Sequence, residues 1–163
     1  MKIYIMIGLM GSGKSSWARM MAGADFNVIR VSGDAIRSMI KQSYVFDSQL
    51  EPLVAKMQLA LIQEAILAGK DVVVDDCNLT RKGRGNLCTT IFSIVGQKEE
   101  SIEIIYVWMK CARDIALDRR LANLRGKPKF TWKFVMQLQE GMFDCPEKDE
   151  NMYVSDIIEV DNK

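Results

Sequence analysis

Residues 8–15 read Gly-Leu-Met-Gly-Ser-Gly-Lys-Ser, an instance of Gly-x-x-x-x-Gly-Lys-Ser, the phosphate-binding P-loop pattern. No other stretch restricts the fold as much, because the motif works only between a strand and a helix. Both neighbours are present. Ile3-Tyr4-Ile5-Met6-Ile7 is an apolar β-type run, and Ser16-Trp17-Ala18-Arg19-Met20-Met21-Ala22 is a helical stretch with few breakers. Glycines without a Cβ let successive N–H groups curl around phosphate oxygens. A helix opening near Gly13 adds its positive end. Lys14 has the reach for β- and γ-phosphates, and Ser15 is placed to hold Mg²⁺. Gly11, Ser12, Gly13, Lys14, Ser15 and Ser16 are thus the expected nucleotide-phosphate contacts.

The rest of the chain bounds the answer. Its 163 residues, 48% of them hydrophobic and 26% charged, suffice for a single domain over 1–163 with a real core. No apolar run approaches the ~20 residues of a membrane span, and Met1 leads straight into the first strand, so no leader peptide or membrane contact is expected. Four cysteines without a Cys-x-x-Cys pair, and no histidine, set aside zinc and histidine chemistry. Free thiols beside an N-terminal P-loop point to a cytoplasmic location. The net charge of +1 conceals a segregation: residues 110–133 carry eight basic and two acidic side chains, and 140–161 carry eight acidic ones and one lysine. A basic segment in a phosphate-handling chain suits polyanionic ligands.

Taken in order, the pattern predicts strands at 2–7, 27–31, 71–75, 101–109 and 156–160. Helices are expected at 14–22, 35–40, 50–68, from a Thr80 cap to about 95, at 111–124 and at 130–139. In the long helix, Leu50, Leu53, Val54, Met57, Leu61, Ala65 and Ala68 form the expected core stripe, with Gly69 as the C-terminal cap. Alternating strands and helices give an α/β P-loop NTPase fold with a mostly parallel sheet, helices on both faces, and an arginine-rich lid over about 111–130. Ligands of such sheets bind at the carboxyl ends of the strands. The motifs at 8–15, 32–37, 75–78 and 109–125 all leave that edge.

Three constellations lie there. Asp34 and Arg37 share a helix face, which places a carboxylate able to take a proton beside a guanidinium able to fork a phosphate. Asp75 and Asp76 end an apolar strand, where an aspartate orients Mg²⁺; alternation leaves open which of the two faces the metal. Asn78 follows as a hydrogen-bonding group for substrate. Arg113, Arg119, Arg120 and Arg125 supply positive charge of the kind that stabilises a transferring phosphoryl group. Arg125-Gly126 ends its helix and can swing, and Arg113 suits a solvated face. Tyr44 and Phe46 are candidates for stacking on a base.

Gly-x-x-Gly-Ser-Gly-Lys-Ser-x-Trp-Ala-Arg at 8–19, Asp34-x-x-Arg37, Asp76-x-Asn78-Leu79 and the segment ending in Arg125-Gly126 together resemble the kinase domain of the phage 5′-polynucleotide kinase family. The resemblance runs through most of the chain. It implies an ATP- and Mg²⁺-dependent transferase of nucleic acid repair that phosphorylates 5′-hydroxyl ends of DNA or RNA, with no obligate protein partner. On this resemblance Lys14 grips the ATP phosphates and Ser15 the metal. Asp34 is the general base, Arg37 holds the acceptor's 3′-phosphate, and Asp76 and Asn78 support the acceptor site. Arg125, with Arg119 or Arg120, closes over the donor. Gly33 departs from the pattern, standing where a larger polar residue is familiar. The chain ends before a phosphatase domain, so 3′-phosphatase activity is not expected. Two other functions compete. A small-molecule P-loop kinase differs only in its acceptor pocket, which would take a nucleoside, sugar or antibiotic hydroxyl. A nucleotide switch would lack both a guanine-reading Asn-Lys-x-Asp motif and any use for the Asp34–Arg37 pair.

Overall fold

The computed structural model describes residues 1–41, 46–96, 102–124 and 129–163. Arg125 and Tyr44 lie outside the described residues. In chain order the elements are β1 (Lys2–Ile7), α1 (Lys14–Ala24), β2 (Val28–Val31), α2 (Gly33–Lys41), α3 (Glu51–Leu67), β3 (Asp71–Val74), α4 (Arg81–Val95), β4 (Glu103–Lys110), α5 (Arg113–Leu121), α6 (Lys129–Met142) and β5 (Val154–Asp161). The strands form one sheet in the order β2-β3-β1-β4-β5, and every neighbouring pair is parallel. This is the α/β architecture expected from the alternation of elements.

The central position of β1 follows from its composition. Ile3, Ile5 and Ile7 are buried in one layer with Ile62, Ala65 and Ile66 of α3 and Cys88, Ile91 and Val95 of α4. Met6 is buried in the opposite layer with Val73, Val107 and Ala18 of α1. A strand covered on both faces must read as a continuous apolar run, and β1 does. A third cluster joins Met10 of the P-loop to Ala116 and Leu117 of α5 and Trp132 and Met136 of α6. It seats α5 and α6 over the carboxyl edge.

Local chemistry sets several boundaries. Thr80 Oγ1 accepts from the Gly83 N–H at 3.0 Å and caps α4, as a threonine at an N-cap does. Gly69 adopts φ +70°, and the N–H of Lys70 reaches Ala65 O at 2.9 Å, closing α3. Other boundaries differ from the sequence expectation. β5 is longer than 156–160 because it pairs with β4 from Ile104↔Val154 to Lys110↔Asp161. α5 is shorter than 111–124, and α6 runs on to Met142.

The core stripe of α3 needs correcting. Val54, Ile62, Ala65 and Ile66 are buried, whereas Leu53 and Leu61 are exposed. The helix carries apolar residues on almost every side, so periodicity alone does not choose among stripes one residue apart. The sheet chooses, by presenting Ile3, Ile5, Val72 and Val74 to the side that holds Ile62 and Ile66.

Candidate active site

The loop between β1 and α1 is held in left-handed turns that side chains disfavour. Gly11 has φ +76° and Gly13 φ +99°. A Cβ on Gly11 would lie 2.0 Å from Ala116 O, and one on Gly13 would lie 2.1 Å from Asn162 Nδ2. α5 and the chain after β5 therefore approach the loop as closely as glycine allows. Three hydrogen bonds fasten it from different elements. Gly8 N–H donates to Cys77 O at 3.1 Å, Met10 N–H to Gln139 Oε1 at 2.8 Å, and Asn162 Nδ2 to Ser12 O at 2.8 Å. Lys14 is buried. Its ammonium donates to Gly8 O at 2.8 Å, Leu9 O at 2.6 Å and Ser12 Oγ at 3.4 Å.

Strand alternation at the end of β3 separates the two aspartates. Asp75 is buried and faces the loop: Ser15 Oγ donates to its Oδ1 at 3.1 Å. Its Oδ2 accepts from Arg30 Nε at 2.8 Å and Nη2 at 2.5 Å. Arg30 was not singled out in the sequence, although a lone arginine in the otherwise apolar β2 was a signal.

Asp76 turns to the other side and accepts from Gln58 Nε2 of α3. Burial pushes its carboxyl up to about 6, against the lowering effect of the Gln58 hydrogen bond and the Arg37 charge. Arg37 donates from Nη1 to Asp34 Oδ1 at 2.9 Å. Its Nε and Nη2 fork onto the two oxygens of Glu51 at 2.8 and 2.6 Å, and its guanidinium lies 5.9 Å from the Phe46 ring centre. A Cβ on Gly33 would lie 3.0 Å from Asp76 Oδ1 and 3.4 Å from Arg37 Nη1. Glycine there leaves room for the carboxylate and the guanidinium. Glu51 and Gln58 gave no distinct signal in the sequence, since an acidic first turn and a polar residue on a long helix are ordinary.

Asn78 does not line the cleft. It takes φ +44°, and its Nδ2 donates to Met6 O at 2.8 Å, tying the chain after β3 to β1. Arg119 and Arg120 both line the cleft, together with Gly11, Gly13, Lys14, Ser15, Ser16, Asp34, Asp75, Asp76 and Asn162. The cleft has a volume of ≈ 470 Å³. Arg119 Nη2 donates to Lys163 O at 3.0 Å, and the Arg120 guanidinium stands 4.7 Å from the Trp132 ring centre. Arg113 instead pairs with Glu140 at 2.9 Å and with Asp114. The geometry brings together the loop, Ser15–Asp75 and Asp34–Arg37–Asp76 on one edge, with the two arginines of α5.

Comparison with solved structures finds the same fold in kinases of differing acceptor. A fungal RNA kinase is 14% identical with a TM-score of 0.69, covering 99% of this chain and 74% of its own. A chain of the Pnkp1/Rnl/Hen1 RNA repair complex is 23% identical with a TM-score of 0.60; 88% of this chain is covered, but only 46% of that longer one. A gluconokinase from Sinorhizobium meliloti 1021 is 20% identical with a TM-score of 0.55, covering 99% and 82%. Among curated proteins, none matches the sequence. The family model described as "AAA domain" matches residues 3–122, spanning the loop, both aspartate motifs and α5. The chain belongs to this AAA-domain family, and its fold is that of a P-loop kinase domain.

Proposed function

We propose that the chain is an ATP-dependent kinase that transfers the γ-phosphoryl group to the 5′-hydroxyl of a polynucleotide. The observation that carries this reading is that Asp34, to which Arg37 donates, and Asp76 line one cleft with Lys14, Ser15 and Asp75. The loop N–H groups and Lys14 hold the β- and γ-phosphates; the Lys14 ammonium exchanges a loop carbonyl for a phosphate oxygen as it does so. Ser15 Oγ and Asp75, two hard oxygen donors 3.1 Å apart, fit Mg²⁺, which takes one or two protein oxygens beside phosphates and water. When bound, the ion neutralises charge on the phosphoryl oxygens. Arg30 orients Asp75 from behind.

Asp34 accepts the proton of the attacking hydroxyl as its oxygen bonds to the γ-phosphorus and the bond to the β-phosphate oxygen breaks, releasing ADP. Arg37 holds an acceptor phosphate, and Arg119 and Arg120 approach the donor phosphates. Asn78 acts in this scheme by fastening the acceptor wall to β1. The gluconokinase likeness and the fork already made by Arg37 onto Glu51 favour one second reading, a kinase for a small hydroxylated acceptor without a phosphate.

Labelled γ-ATP with Mg²⁺ and three acceptors tests the choice: a 5′-hydroxyl oligonucleotide, a nucleoside 3′-monophosphate and a free nucleoside. A charge-assisted contact from Arg37 is worth roughly ten- to hundred-fold, so the free nucleoside should lag by that factor and Arg37→Ala should erase the gap. Lys14→Ala should lower turnover by about 10²-fold or more with the protein still folded. Failure of every 5′-hydroxyl nucleic acid to react, with ATP still bound, moves the small-molecule reading to first place.

A further inference from the structure

α6 is buried on one side only. Trp132 and Met136 pack onto Met10 and α5, and Gln139 bonds the P-loop through Met10 and reaches Cys77 Sγ at 3.6 Å, next to Asp76. Away from that contact Phe130, Phe134, Leu138 and Met142 stand 73%, 60%, 47% and 50% exposed, spaced four residues apart along one strip of the helix. A large apolar strip left in water marks a binding surface. Toward its N-terminal end the strip is flanked by basic residues. Lys129 and Lys133 are exposed beside the two phenylalanines, and no Asp or Glu occurs from 119 to 139. Glu140, where acidic residues resume, is engaged by Arg113.

We infer that this outer face of α6 is a track for the single strand that follows the acceptor's 5′ end, with bases resting on Phe130 and Phe134 and phosphates near Lys129 and Lys133. The inference rests on the polynucleotide reading above and extends it beyond the terminal nucleotide. Aromatic faces stack on any base, and flanking lysines follow the backbone, which is how single strands are held without sequence preference. Four residues of helix rise about 6 Å, so the two rings are separated enough to take neighbouring bases in turn. The strip also starts from the correct place. Leu138 adjoins Gln139, which holds Met10 of the P-loop and reaches Cys77, the residue after Asp76, so the strip begins beside the site. A second copy of the chain suits the face less well. Two-fold pairing of the strip would bring lysines against lysines, while Glu140, on the same stripe as Lys133, is already engaged by Arg113.

The test compares wild type with Phe134→Ala and Phe130→Ala, which remove mostly exposed surface and so change stability little. Binding is read by fluorescence anisotropy of a labelled single-stranded oligothymidylate long enough to span the helix, without ATP. Turnover is read separately on a nucleoside 3′-monophosphate. Each variant should bind the oligonucleotide about tenfold more weakly, in the range found for a lost base–aromatic stack, and should phosphorylate the monophosphate as wild type does. Equal binding by wild type and variants, or none by either, overturns the track whatever the kinase assay gives. Stripe-dependent binding without phosphorylation of any nucleic acid upholds the track and sinks the acceptor assignment instead. A concentration-dependent dimer in sedimentation that either variant abolishes makes the face a contact between copies and overturns the proposal.

Discussion

At the scale of the residue, Asp76 sits in surroundings that disfavour its charge. Burial raises its carboxyl to about 6 from an ordinary value of 3.8, so folding favours its protonated form. Between those two values the folded chain binds more protons than the unfolded chain, and stability falls as pH rises through that window. A shift of this size costs about 3 kcal/mol at most once the group is ionised. Asp76→Asn keeps an acceptor for Gln58 and removes the charge. In metal-free buffer it should melt higher than wild type above pH 6, and the difference should vanish below pH 4. Thermal melts across that range check the sign; a variant less stable at pH 8 would show that the Arg37 charge outweighs burial at this site.

At the scale of the element, α3 separates what a helix is from how it is turned. Its length, its early Pro52 and its Gly69 stop are local properties. Its rotation is set by the sheet, which takes Ile62 and leaves Leu61 outside. Ile62→Ala should cost ~2–5 kcal/mol, and Leu61→Ala should stay within about 0.5–1 kcal/mol. Urea melts of the two variants decide this directly, and equal losses would mean the helix is rotated by a residue. The same rotation brings Glu51 to Arg37 and Gln58 to Asp76, so the phase of α3 is also a property of the site.

For the whole molecule, the connection from α6 to β5 is anchored by a buried ion pair. Arg84 of α4 is fully buried. It forks onto Glu150 at 2.5 and 2.6 Å and donates from Nη1 to Asn78 O, Leu79 O and Asp144 O at 3.1, 2.9 and 3.0 Å. These bonds join α4, the chain after β3 and the return segment. Removing one partner leaves a buried charge without its closest mate, with the half-exposed Arg81 still 3.6 Å from Glu150. Arg84→Met or Glu150→Leu should therefore cost about 3–5 kcal/mol, roughly 6–20 °C in Tm for a chain of this size. The double variant, which removes both charges, should be less destabilised than the sum of the two singles. Simple additivity in differential scanning calorimetry would deny the coupling.

Much of this architecture was legible in order along the chain because the signals are short-range. A Gly-rich turn between an apolar run and a helix, a threonine cap at 80 and a glycine stop at 69 each act within one or two turns of backbone. So do Asp34 and Arg37, which a helix brings together by its own pitch. The partners that complete the site come from elsewhere in the sequence. Arg30 meets Asp75 across adjacent strands, Gln58 meets Asp76 through the rotation of α3, and Asn162 reaches Ser12 from 150 positions away. Asn78 read as a substrate contact while its environment was unknown, and packing turns its amide to Met6 O. Sequence determined which charges and which backbone freedom each position offers, since these belong to the residue. Only the tertiary structure decided which oxygen faces which nitrogen, because burial and register are set by the whole sheet and the helices laid against it.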